Sequence, residues 1–149
     1  MLVRLALEED AEAVIALAAL NMAETRPDLD YDEGTAYETF YRYLGTAEPT
    51  IFVAEDRREV IGILLASICG YDAAYGHYTT QRVLYVRPDK RGTRAAVLLM
   101  KHLISWSQQL GAKEIVGGND NDFQSDRTAE FLRHFGFEKV GIAMKRVLG

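Results

Sequence analysis

The chain has 149 residues, about the size of one domain, and can bury a sizeable hydrophobic core. Its composition, 48% hydrophobic and 26% charged, is typical of a soluble globular protein, and its net charge of −5 argues against nucleic acid as a partner. The single cysteine, Cys69, excludes an internal disulfide and lies in an apolar run, where we expect a buried thiol. The sequence has no signal-peptide pattern and no apolar run long enough to span a bilayer, so we expect a cytoplasmic protein that does not enter membranes.

The first half of the sequence predicts a strand, two helices and a hairpin. Acidic residues from Glu8 favour the start of a helix, Val14 and Leu17 supply its core-facing stripe, and Pro27 ends it. The predicted elements are a strand over 2–7, a helix from 8 to Pro27, a second helix from about Thr35 to Leu44, and two strands, 51–56 and 60–70, joined by a polar turn.

The second half alternates strands and helices. Leu99, Leu103 and Trp106 share one face of a predicted helix from Arg94 to Leu110, which Gly111 ends. The other predicted elements are a loop over 71–77, a strand over 78–86, a strand over 113–118, a loop over 119–126, a helix over 127–135 capped by Asp126, and strands over 137–141 and 142–148. No repeat or linker interrupts this order, which predicts one α/β domain over residues 1–149.

A basic corner stands between the strand 78–86 and the following helix. A helix N-terminus presents unpaired backbone N–H groups and a favourable dipole to phosphate, and the small residues within 91–96 would let a pyrophosphate approach them. Arg91 and Arg94 add positive charge. The alternative is an ordinary helix start with solvated basic residues, and the patterns of a P-loop and of a dinucleotide-binding turn are both absent.

The run 86–96 resembles the acetyl-coenzyme A signature of the GNAT acetyltransferases. Arg91 and Gly92 match its arginine-glycine start, Ala96 matches its final small residue, and Arg94 replaces the usual middle glycine. The order of predicted elements is also similar to that family along nearly the whole chain, as is the Gly-Phe pair at 136–137.

The resemblance implies an α/β (α+β) fold with a mixed, mostly antiparallel sheet of six to seven strands and about four helices. It implies an N-acetyltransferase in which a primary amine of a small molecule or protein attacks acetyl-coenzyme A directly, without a metal, in a possible homodimer. The cofactor-binding positions implied are Leu84, Tyr85, Val86, Arg91, Gly92, Thr93, Arg94, Ala95 and Ala96.

The side chains that relatives use for proton transfer are missing. Leu132 stands where many relatives carry a tyrosine acid, Ser125 replaces an asparagine, and the strand that can carry a glutamate base has glutamine and arginine at 81–82. We therefore name Tyr75 and His77, in the loop before the strand 78–86, as catalytic candidates, although both residues would also fit an ordinary surface loop.

Several alternatives stay open. The acidic loop 26–34 would attract a cationic amine or would simply be solvated. Three dispersed histidines and one cysteine give no metal-site spacing. The missing tyrosine favours a weakly active or inactive module that binds coenzyme A or a protein, and an unrelated α/β nucleotide-binding domain is the third possibility.

Overall fold

The computed structural model describes residues 1–46, 50–118 and 123–149. The elements in chain order are β1 (Leu2–Leu5), α1 (Ala11–Thr25), α2 (Glu33–Leu44), β2 (Thr50–Asp56), β3 (Glu59–Gly70), β4 (His77–Val86), α3 (Ala95–Gln109), β5 (Ile115–Val116) and α4 (Ser125–Arg133). Short 3-10 turns precede α1 and follow β4, over Glu8–Asp10 and Pro88–Lys90. Among the described residues, no helix has the length and hydrophobicity needed to cross a membrane.

The strands form one mixed sheet in the order β1-β2-β3-β4-β5. Every neighbouring pair is antiparallel except β4 and β5, which run parallel. The predicted hairpin is confirmed as β2 and β3. Its tight turn places Arg57 and Arg58 at φ of 51° and 66°, the left-handed geometry that suits a two-residue hairpin turn.

Helices cover both faces of the sheet because alternate strand residues point to opposite sides. On one face, α1 and α2 pack over a core that includes Leu17, Phe40 and Val53. On the other face, α3 packs over a core that includes Phe52, Leu64 and Leu99, none of which has measurable exposure. The predicted helical faces of α1 and α3 therefore do bury their apolar stripes.

Among the described residues the sheet has five strands, fewer than the six to seven expected. The predicted strands 137–141 and 142–148 are not formed: these residues belong to no helix or strand and pair with no described strand, and a strand needs a partner to satisfy its backbone. The predicted strand 113–118 is reduced to the two residues of β5, although the backbones of Lys113 and Glu114 also form hydrogen bonds with β4.

Three local expectations are corrected. Asp126 does not cap α4, because the helix begins at Ser125 and the N-cap is Gln124, in a left-handed conformation. Cys69 is half-buried rather than buried, with its sulfur 3.9 Å from the hydroxyl of Ser67. Residues 119–122 of the predicted loop 119–126 lie outside the described residues.

Candidate functional site

Strands β4 and β5 diverge after a short stretch of pairing, and this opening, between residues 81–86 and Gly118, is called the fork. The pairing joins Thr79 to Ile115 and Thr80 to Val116, and a further backbone hydrogen bond links Lys113 to His77 at the other end of β4. On the other side of β4, the register with β3 slips by one residue at Arg82, which leaves that residue as a bulge. A bulge bends its strand and increases the local twist, so β4 turns away from β5 where the pairing ends.

A buried glutamine ties the base of the fork. The Oε1 atom of Gln81 accepts a hydrogen bond from the amide of Gly118 at 3.2 Å, and Gln81 is only 8% exposed. A Cβ atom at the preceding Gly117 would stand 3.0 Å from the same oxygen, which is closer than nearly all real contacts. Glycine at this position therefore leaves room for the glutamine oxygen, which would have to shift by a few tenths of an ångström beside a larger residue.

The fork opens into a cleft of about 320 Å³. Residues 81–86 of β4 form one wall, α1 contributes Glu24, and the corner before α3 and its first turn contribute Arg91 and Ala96. The remaining wall comes from α4, including Leu132. Four separate parts of the chain therefore converge on one groove at the end of the sheet.

The corner before α3 presents free backbone donors. Within the described part of the chain, the amides of Gly92, Arg94, Ala96 and Val97 donate to no protein acceptor. Gly92 has a φ of 88°, and a Cβ atom there would meet nothing within 4 Å, so the corner is open to solvent. These donors sit at the positive end of a 15-residue helix, and they fit an anion such as a pyrophosphate.

Side chains fix the backbone of the corner. The hydroxyl of Thr93 donates to the Lys90 carbonyl at 2.6 Å and accepts from the Ala95 amide at 3.4 Å. Just before it, Arg87 pairs with Asp89, at 2.6 Å, and with Glu59 of β3. These contacts hold the turn without using the four free amides.

Arg91 points toward α1 and is engaged by a carboxylate. Its two terminal nitrogens donate to Glu24 at 2.8 and 2.7 Å, and its Nε donates to the Val86 carbonyl at 3.2 Å. The guanidinium carbon also lies 5.2 Å from the ring centre of Tyr85, whose hydroxyl donates to Glu24 at 3.1 Å. Arg91 therefore links the corner to α1, and Glu24 largely neutralises its positive charge.

These contacts set the protonation of two groups that line the cleft. The hydrogen bonds from Arg91, helped by that from Tyr85, lower the pKa of Glu24 against the opposing effect of burial. Burial, followed by the hydrogen bond to Glu24, raises the pKa of Tyr85. At neutral pH the carboxylate is ionised and the phenol keeps its proton.

The structure brings most of the predicted cofactor positions together. Leu84, Tyr85, Val86, Arg91 and Ala96 line the cleft, and residues 92–95 form the corner beside it. The side chain of Arg94 is exposed, and the residue occupies the N-cap position of α3. The backbone donors therefore lie next to the groove.

The two predicted catalytic residues lie elsewhere. Tyr75 is 97% exposed, in the loop before β4. His77 is the first residue of β4, at the opposite end of the strand from the cleft, and its Nε2 is 2.9 Å from the Leu110 carbonyl. Neither side chain is among those that line the groove.

Part of the acidic loop has a structural role. Asp32 caps α2 by accepting from the Thr35 amide at 2.8 Å, and Asp28 pairs with Arg26 at 2.9 Å. These contacts occupy two of the carboxylates that would otherwise attract a cation. Across the described ranges, no three histidine, cysteine, aspartate or glutamate side chains are arranged so that they could hold a metal ion.

Glu24 and the tie made by Gln81 were not identified from the sequence. Glu24 looks like any glutamate on the solvent side of a helix, and its partner Arg91 is 67 residues away. Only the adjacent Gly-Gly pair at 117–118, directly after an apolar strand, signals that another group approaches the backbone there.

The sequence matches the model of a family described as the acetyltransferase (GNAT) family over residues 7–137. No curated protein sequence matches the chain significantly.

Solved structures share the fold at low sequence identity. A transcriptional regulator from Bacillus halodurans C-125 is similar with a TM-score of 0.84 and 18% identity, over 99% of both chains. An aminoglycoside N-acetyltransferase in complex with CoA gives a TM-score of 0.80 and 16% identity, over 98% of this chain and 93% of that one. A ribosomal-protein-alanine N-acetyltransferase from Brucella melitensis gives 0.78 and 15%, over 99% and 98%. The expected fold is confirmed by these likenesses, apart from the number of strands.

Proposed function

We propose that this chain, which belongs to the acetyltransferase (GNAT) family, transfers an acetyl group from acetyl-coenzyme A to a primary amine of a small molecule or protein. The observation that carries the proposal is the set of free amides at residues 92–97, next to a groove made by diverging strands. Two solved relatives of similar fold act, by their names, on an aminoglycoside and on a ribosomal protein, so both kinds of acceptor belong in the test.

The proposed cofactor site uses the main chain more than side chains. Acetyl-coenzyme A supplies the acyl group as a thioester. The amides of Gly92, Arg94, Ala96 and Val97 would hold its pyrophosphate, and Arg94 would add charge from an exposed position. Along the fork, the backbone of residues 84–86, which β5 leaves unpaired, would donate to the rest of the molecule and to the acetyl carbonyl.

The proposed proton transfers use Glu24 and Tyr85. Both line the groove, and at neutral pH one is an ionised acceptor and the other a protonated donor. We propose that Glu24 accepts a hydrogen bond from the incoming ammonium while its proton leaves to water, since a carboxylate of lowered pKa is a weak base, and that Tyr85 donates a proton to the leaving thiolate. Tyr75 and His77 stay as predicted alternatives, which mutation will separate from this pair.

The test is acetyl transfer measured by release of free thiol. The purified protein is incubated with acetyl-coenzyme A and a panel of aminoglycosides, polyamines and protein N-terminal peptides. We expect turnover with at least one amine, reduced in Glu24→Gln and Tyr85→Phe, with coenzyme A affinity retained in Tyr85→Phe. Failure of the wild-type protein to bind coenzyme A by calorimetry would refute the proposal.

A second function is favoured by one observation. Leu132, at the position where many relatives carry a tyrosine acid, is 6% exposed and packs into the core shared with α3. A module that binds coenzyme A without efficient catalysis would tolerate this side chain. Tight binding of coenzyme A with no turnover across the whole panel would support that module and exclude the enzyme.

A further inference from the structure

The charged side chains of the cleft do not balance. Among the described residues that line it, Glu24 is the one anion, whereas Arg82, Arg91 and Arg127 are cations. These side chains carry a net charge of +2 in a chain whose overall net charge is −5. Glu24 already pairs with Arg91. Within the part of the chain that the structure describes, Arg82 and Arg127 form no hydrogen bond or ion pair, so two positive charges are left free.

The bulge in β4 places Arg82 at the far end of the cleft from the corner. The register with β3 skips Arg82, which stands between Gln81 and Val83 and is exposed. Bulges beside functional sites often serve to re-aim a side chain. Four residues separate Arg82 from Val86 at the corner end of β4, about 13 Å along the strand. The charge of Arg82 therefore lies well away from the amides proposed to bind the pyrophosphate.

The two free arginines approach the cleft from opposite faces of the sheet. Arg127 belongs to the first turn of α4, and Leu132 of the same helix packs into the core beneath α3. Arg82 instead lies next to Val83, which packs against the core beneath α1 and α2. Arg127 is therefore on the side of the corner and the proposed cofactor, and Arg82 is on the side of α1.

Helix α1 adds a second free donor on the side of Arg82. Asn21, Glu24 and Thr25 line the cleft from one face of this helix, because residues three and four apart are neighbours. The hydroxyl of Thr25 donates to the Asn21 carbonyl at 2.8 Å, whereas the side-chain amide of Asn21 forms no hydrogen bond within the described ranges. That amide can donate two hydrogen bonds, and the guanidinium of Arg82 can donate five. This side of the cleft therefore offers free donors, one of them charged, to an anion.

We propose that the acceptor is an amino acid whose carboxylate binds Arg82, with help from the amide of Asn21. A planar guanidinium matches the two oxygens of a carboxylate and holds them by paired hydrogen bonds. The carboxylate is not consumed: the amine nitrogen bonds to the acetyl carbon, the carbon–sulfur bond breaks, and the products are an N-acetyl amino acid, coenzyme A and a proton. This inference rests on the proposed function, because it names the acceptor of the same transfer. Polycationic amines should be poor acceptors, since they would meet Arg82 as a like charge.

Matched pairs of acceptors test the carboxylate. Each α-, β- and γ-amino acid of a panel is compared with its own carboxamide in the thiol-release assay, and aminoglycosides and polyamines are run beside them. We expect kcat/KM for at least one amino acid to exceed that of its amide by about tenfold or more, the loss that follows when a hydrogen bond to a charged group is removed. Equal values within every pair, or a preference for aminoglycosides or polyamines over every amino acid, would overturn the proposal.

Variants of Arg82 assign the preference to this side chain. Arg82→Gln should raise KM for the amino acid by about tenfold or more and leave coenzyme A affinity unchanged, and Arg82→Lys, which keeps the charge, should restore part of the loss. Arg133→Gln is the matched control, because Arg133 is an exposed arginine of α4 outside the cleft lining and pairs with Glu130 at 3.6 Å. A preference that survives in Arg82→Gln, or that falls equally in the control, would contradict the assignment.

Binding measurements separate this inference from the proposed function. Calorimetric titration of the protein saturated with coenzyme A, first with an amino acid and then with its amide, gives acceptor affinity without turnover. If no amine is acetylated, the proposed transfer is wrong, but tighter binding of the amino acid that is lost in Arg82→Gln would still support the carboxylate site. If acid and amide bind equally, or neither binds, the carboxylate site is refuted, whatever the result for acetyl transfer.

Discussion

Replacing Gly92 with aspartate tests whether the corner before α3 holds a phosphate. A substitution at this position should not disturb packing, because a Cβ atom there would meet nothing within 4 Å and the residue lies outside the buried core. The new side chain would therefore place a negative charge at the corner without a steric clash. Gly92→Asn is the matched control, because it has the same shape and the same backbone strain without the charge.

The substitution has two separate effects, a loss of stability that comes from the backbone and a loss of coenzyme A affinity that comes from the charge. The φ of 88° favours glycine, so both variants should lose about 1 kcal/mol of stability, and this loss cancels in their comparison. Two like charges about 6 Å apart repel by about 0.7 kcal/mol in water and by about 3 kcal/mol at an effective dielectric constant of 20. The corner is exposed but adjoins protein, so the repulsion energy should lie between these limits, at about 1.4 kcal/mol or more. Coenzyme A should therefore bind at least about tenfold more weakly.

Calorimetric titration with coenzyme A measures this difference. Aspartate should bind more weakly than asparagine by at least about tenfold at low salt, and the gap should narrow as salt screens the repulsion. Gly111→Asp, at the other end of α3 and also in open space, adds the same charge far from the corner and should leave affinity unchanged. If folded Gly92→Asp bound coenzyme A as tightly as Gly92→Asn, the phosphate would not lie at this corner.

Three further predictions concern stability and proton transfer. Asp10→Asn should lower the free energy of unfolding by about 2 kcal/mol at neutral pH, because the carboxylate is 6% exposed and pairs with Arg4 at 2.7 Å. The pKa of Asp10 is lowered in the folded chain, chiefly by Arg4, so its contribution is present above its ordinary pKa and is lost as pH falls through the folded-state value; urea titrations of the two proteins should converge in acid. Leu99→Ala, at a fully buried position, should cost about 3 kcal/mol by the same measurement. His77→Ala and Tyr75→Phe should lower turnover without changing coenzyme A affinity if either side chain transfers the proton.

Each of these has an outcome that contradicts it. A stability difference for Asp10→Asn that persists unchanged at low pH would mean that ionisation of the carboxylate is not what stabilises the fold. A loss below 1 kcal/mol for Leu99→Ala would mean that α3 repacks without a cavity. Unchanged turnover in His77→Ala and Tyr75→Phe would remove both from the reaction.

The helices and the hairpin were predictable because their signals are local. The period of apolar residues in α3 and the turn between β2 and β3 depend on neighbours within one or two turns of chain. The end of the chain was not predictable in the same way. Residues 137–148 have the composition of strands, but a strand forms only beside an edge with which it pairs. The sequence does not show which edge that is.

Some residues of the candidate site could be predicted from local sequence, and others could not. The corner at 91–96 could be located from small residues at a strand-to-helix junction, since backbone amides bind anions with little regard to side chains. Glu24 could not, because its importance comes from a contact across 67 residues. Tyr75 and His77 were named from their nearness in sequence to β4, but a strand of ten residues carries its two ends far apart, and the groove lies at the other one.

The ion pair between Glu24 and Arg91 makes the corner before α3 depend on the whole fold. Its two members come from opposite halves of the chain, and closing so long a loop is unfavourable until the intervening strands have assembled. A fragment that contains only the later half of the chain keeps every residue of the signature, but it loses Glu24, which holds Arg91 in place. The coenzyme A binding proposed at this corner should therefore be lost on global unfolding, so that a titration with coenzyme A measures how much of the protein is native.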